Sequence, residues 1–146
     1  MPTAPPPSPG PRALSLRRWA FFGFTLALLA ATLWPNLKVP VVVPRTDLWV
    51  HAGSFGIWTL LLAFSGLVGP WPRGWTIARC GSFGLTFSAA DELAQAIPGV
   101  RRVVDFDDFL ANALGVVLAV GALLVLARVF APSHRNGVRG SGGPRP

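Results

Sequence analysis

Charge is scarce in this chain. Of its 146 residues, 13% are charged and 51% hydrophobic, with six acidic residues against thirteen basic ones. A soluble domain carries about 25% charged residues, so this shortage, with a mean hydropathy of +0.50, points to a membrane protein. Cysteine is scarcer still. The lone Cys80 excludes an intramolecular disulfide and any cysteine-built metal cluster, and it reads as a small packing residue. A nucleophile elbow, a phosphate-binding loop, a dinucleotide fingerprint and an internal repeat are missing too. The net charge of +7 would suggest nucleic acid in a soluble protein. No basic patch lies on a polar segment long enough to be a domain, and the basic residues cluster at the ends of apolar runs, where they set topology. The expected partner is therefore the lipid bilayer, with no nucleic acid.

What is present is four apolar segments between two tails. Residues 1–11 are proline-rich without an apolar period, and residues 132–146 are glycine, proline and arginine with almost nothing to bury; both read as disordered. The segments run over 19–34, 48–68, 76–96 and 109–130. The second and fourth are long enough to cross a hydrocarbon core about 30 Å thick. The first is short, but Arg17 and Arg18 can snorkel and Trp19 and Trp34 mark its two interfaces. Its exit, Ala-Thr-Leu-Trp-Pro, lacks a small-x-small cleavage site, so it is expected to stay as an anchor. The third segment is rich in small residues (Gly81, Ser82, Gly84, Thr86, Ser88, Ala89, Ala90). That composition suits a central helix packed closely by its neighbours, with a re-entrant or interfacial segment as alternatives. The expected fold is all-α, an integral membrane four-helix bundle over 16–131, with disordered cytoplasmic tails over 1–15 and 132–146.

Orientation follows from the basic residues. With four spans and both termini in the cytoplasm, nine of the thirteen fall inside, and Lys38, Arg45, Arg101 and Arg102 fall outside, as the positive-inside rule requires. The same assignment puts all six acids, Asp47, Asp91, Glu92, Asp105, Asp107 and Asp108, on the outer side. Acids weigh little in that rule, so their gathering is nearly independent information.

Three groups make up the polar constellation. Asp47 and His51 open the second span four residues apart, on one helix face. They either converge on a ligand, or Asp47 (or Thr46) caps the helix and His51 is a satisfied interfacial histidine. Asp91, Glu92 and Gln95 share a polar face at the end of the third span, where the macrodipole disfavours acids and capping cannot explain them. A functional role, or pairing with Arg101 and Arg102 beyond the Pro98-Gly99 break, is required. Of Asp105, Asp107 and Asp108, one is expected to cap the fourth span. Asn112 shares a face with Asp108, while Ala111, Gly115 and Ala119 form a small-x-x-x-small contact stripe.

This order of motifs resembles the VanZ-like family, small bacterial membrane proteins named after an accessory factor of glycopeptide resistance associated with teicoplanin. It consists of Asp-x-x-x-His, Asp-Glu-x-x-Gln, an arginine after Pro-Gly, then Asp-x-x-x-Asn-x-x-Gly, and it covers roughly residues 34–119. The resemblance implies a place in the bacterial cytoplasmic membrane. It points to Asp47, His51, Asp91, Glu92, Gln95, Arg101 or Arg102, Asp108 and Asn112 as ligand-binding residues. Leu48 stands where the family often has lysine, and the adjacent arginines leave the equivalent position open. The leading expectation is an outward polar pocket for a cell-envelope precursor or glycopeptide, with a role in the envelope or in antibiotic resistance and with no cofactor or metal site. One alternative is a metal-dependent enzyme on a lipid-linked phosphate, in which His51 is the acid/base and Asp91, Glu92 and Asp108 hold a divalent cation. The other is a purely structural role, in which polar groups lock the helices together.

Overall fold

The computed structural model describes residues 10–35, 45–98, 100 and 105–130. All regular structure there is helical: α1 (Pro11–Leu33), α2 (Thr46–Ser65), α3 (Gly74–Gln95) and α4 (Phe106–Phe130). Three of them, α1, α2 and α4, are long and apolar enough to cross a membrane. At 22 residues α3 matches them in length, but Arg79, Asp91 and Glu92 lower its hydropathy.

Each boundary has a local cause. Pro11 opens α1 at a position where a missing N–H is harmless, so the helix begins well before the apolar run and takes in residues assigned to the tail by composition. Gly66 (φ 72°) ends α2 in the left-handed conformation that glycine tolerates. The Pro98 that follows α3 prevents its continuation. Asp105 caps α4, its Oδ1 accepting the Asp107 backbone N–H at 2.9 Å. No side chain caps α2; Arg45 holds the cap position in a left-handed conformation (φ 58°). Asp47, offered as a cap for this helix, bonds to no described residue and does not take that role.

Helices α2 and α3 each pack on all three others, whereas α1 and α4 flank them without touching each other among the described residues. The centre is aromatic. Trp58 of α2 stacks on Phe87 of α3 at 4.6 Å and leans on Phe21 of α1 at 5.2 Å. Its indole N–H donates to Thr25 Oγ1 at 3.0 Å. Leu62, Ile77, Cys80, Val116 and Leu123 complete this core. The closest crossing joins α2 and α4. A Cβ on Gly115 would collide with the Ala52 carbonyl, and one on Gly56 would stand 3.2 Å from the Gly115 carbonyl oxygen. The Ala111, Gly115 and Ala119 stripe is buried in this seam.

Candidate functional site

The end of α1, the start of α2, the end of α3 and the start of α4 meet at one end of the bundle, and the polar residues collect there. Asp91, Glu92 and Gln95 are buried at 2%, 4% and 1% exposure, as is Asn112 at 0%. Carboxylates and carboxamides taken so fully from solvent need partners, and the partners come from neighbouring helices. Thr32 of α1 donates to Asp91 Oδ1 at 2.7 Å. The backbone N–H of Asp105 donates to Glu92 Oε1 at 2.8 Å, tying the end of α3 to the start of α4. Gln95 Nε2 donates to the other Glu92 oxygen over a long 3.5 Å.

His51 is the link between α2 and α4. Its Nδ1 lies 3.0 Å from Asn112 Oδ1 and its Nε2 lies 3.4 Å from Asp108 Oδ2. With Asn112 presenting its carbonyl oxygen, Nδ1 is the donor, so both ring nitrogens face oxygen acceptors. Of the buried carboxamide atoms, Gln95 Oε1 and Asn112 Nδ2 have no hydrogen-bond partner among the described residues. One is an acceptor and the other a donor, the pair of functions that a hydroxyl or amide satisfies.

Sequence reasoning thus named His51, Asp91, Glu92, Gln95, Asp108 and Asn112, and the fold brings these six together. Asp47 is not among them: it is exposed on the first turn of α2 and bonds to no described residue. Arg101 and Arg102 lie outside the described residues. Two members went unread. Thr32 supplies the α1 contact, and Arg45 pairs with Asp107 across the helix starts, both half-exposed or more. Beside that pair, a groove of about 520 Å³ follows the α2–α4 seam, lined chiefly by Leu48, Trp49, Leu110 and Leu114. No group of three or more His, Cys, Asp or Glu among the described residues is placed to hold a metal ion. Comparison with protein-family models, curated proteins and solved structures finds no match for this chain.

Proposed function

We propose that the chain is a multi-pass protein of the bacterial cytoplasmic membrane, a VanZ-like four-span bundle with both termini inside. Its outward polar pocket binds a cell-envelope component or a glycopeptide-related ligand. The three apolar helices support the membrane setting. Helix α3 joins them as a fourth span because its length is about 33 Å and both its acids are turned inward. The observation that carries the binding reading is the pair of buried amide atoms on Gln95 and Asn112 that have no partner among the described residues. Each such atom costs about 1–3 kcal/mol when left unsatisfied, a cost that a ligand's hydroxyls or amides would remove. The apolar groove beside Arg45 suits the hydrocarbon part of a lipid-linked precursor.

The structural reading also has an observation behind it, since the Thr32–Asp91 and His51–Asn112 bonds each join two helices. Binding of teicoplanin and of a lipid-linked disaccharide-peptide to the purified full chain separates the two. Wild type should retain one of these probes, and Gln95→Leu should weaken that retention about fivefold, the worth of one hydrogen bond. If neither probe binds and Gln95→Leu leaves teicoplanin susceptibility of the expressing strain unchanged, the structural reading replaces this one.

A further inference from the structure

The opposite end of the bundle has the reverse electrostatics. All six acids of the chain lie in or beside the first and last turns at the polar end described above. Arg12, Arg17, Arg18, Arg73, Arg79 and Arg128 occupy the other end, and none of them has an acidic partner among the described residues. All six are exposed, and five of them have water and counter-ions as their surroundings. Arg79 is placed differently.

Its guanidinium stacks over the Trp75 ring, 4.5 Å from the centroid. Trp75 in turn is held from behind by the turn that follows α2. Gly69 (φ 133°) brings backbone so close that any Cβ there would overlap the ring, so the indole is backed on that side. A cation–π contact orients the guanidinium plane and leaves its N–H groups free to meet an anion. The 66–69 turn, Trp75, Arg79 and Phe83 enclose a groove of about 600 Å³. Trp75, Arg79 and Phe83 recur at i, i+4 and i+8, on one face of α3. Arg79 lies about 7–8 Å along the axis from Gly74, the depth of the headgroup layer if α3 begins at the cytoplasmic interface. Leu67 and Phe83 on the groove wall are 42% and 52% exposed, an apolar surface on which acyl chains can rest.

We infer that this groove binds one anionic membrane phospholipid, its phosphate on Arg79 and its chains against Leu67 and Phe83. The charge argument selects the occupant: a cation stacked on an aromatic ring at an apolar groove, on a face with no acid of its own, is complemented by a lipid anion and not by a zwitterion. The inference rests on the membrane setting but not on any ligand at the polar end. The test uses the full-length protein in detergent, with phosphatidylglycerol or phosphatidylcholine added at equal concentration and bound lipid counted by native mass spectrometry. Wild type should retain one phosphatidylglycerol in preference to phosphatidylcholine. Arg79→Gln should lower that retention about fivefold, the worth of one basic side chain at an anionic surface. Leu67→Glu, which adds a carboxylate to the groove wall, should do the same without affecting phosphatidylcholine. Gln95→Leu should leave phosphatidylglycerol binding intact even if it abolishes ligand binding at the polar end. The inference is overturned if the two lipids bind equally, if Arg79→Gln behaves as wild type, or if Arg17→Gln costs as much as Arg79→Gln. It is overturned as well if millimolar inorganic phosphate displaces the lipid, which would make the site one for free phosphate.

Discussion

Gln95 is the residue at which a binding site and a helix clamp differ most. Its Oε1 is buried without a partner among the described residues, and its bond to Glu92 is long at 3.5 Å. Replacing it with leucine, of similar volume, removes a buried polar atom that the fold leaves unsatisfied. Gln95→Leu should therefore keep or raise the unfolding midpoint in detergent while losing ligand. Thr32→Val makes the opposite change: it deletes the 2.7 Å bond to a buried carboxylate and should cost about 1–2 kcal/mol of stability in denaturant titration. A Gln95→Leu protein that unfolds readily would make the residue a clamp. The same contrast explains what could be read from residues alone. Asp91, Glu92, Gln95, His51 and Asn112 announced themselves because charge or carboxamide inside an apolar run is costly. Thr32 did not, because its hydroxyl can bond to its own helix, as it does to the Leu28 carbonyl at 3.1 Å. Arg45 was equally hidden, since a cation beside a span is the ordinary mark of topology.

At the scale of elements, hydropathy located all four helices, and the Pro98-Gly99 break placed the end of α3, whereas the start of α1 at Pro11 and the end of α2 before Gly66 were not read. Residue spacing assigned the Ala111, Gly115 and Ala119 stripe to a contact face but could not name the partner, because periodicity identifies a face and not the helix that meets it. The partner is α2, met at Ala52 and Gly56, and this crossing sets the distance between His51 and Asn112. Packing here leaves no room for a methyl group. Gly115→Ala must push α2 and α4 apart and should cost about 1–3 kcal/mol. Gly121, on the same helix but with nothing within 4 Å of a built Cβ, is the control. Gly121→Ala should be neutral or stabilising by up to about 1 kcal/mol through helix propensity. Thermal unfolding of both variants in detergent checks the pair, and equal tolerance would mean that the α2–α4 seam is looser than its geometry implies.

Across the whole molecule, the separation of charge bears on how the chain would sit in a membrane. A bilayer reads lysine and arginine, and retains them on the cytoplasmic side, while acids weigh little. The described helices put six arginines at one end, and at the other Arg45, neutralised by Asp107. That bias favours the orientation proposed above, in which the basic end, where α1 begins and α4 finishes, faces the cytoplasm and the polar cluster faces out. The lone cysteine is buried, so Cys80→Ser gives a silent background for labelling. Asp47 is exposed at the polar end and bonds to no described residue, and Ser15 is exposed at the basic end, so each tolerates replacement. In intact cells a membrane-impermeant maleimide should label Asp47→Cys and should reach Ser15→Cys only after permeabilisation. Labelling of Ser15→Cys from outside would place the cluster in the cytoplasm. The pocket would then be closed to external glycopeptides and to envelope precursors on the outer leaflet, and its ligand would have to come from within the cell.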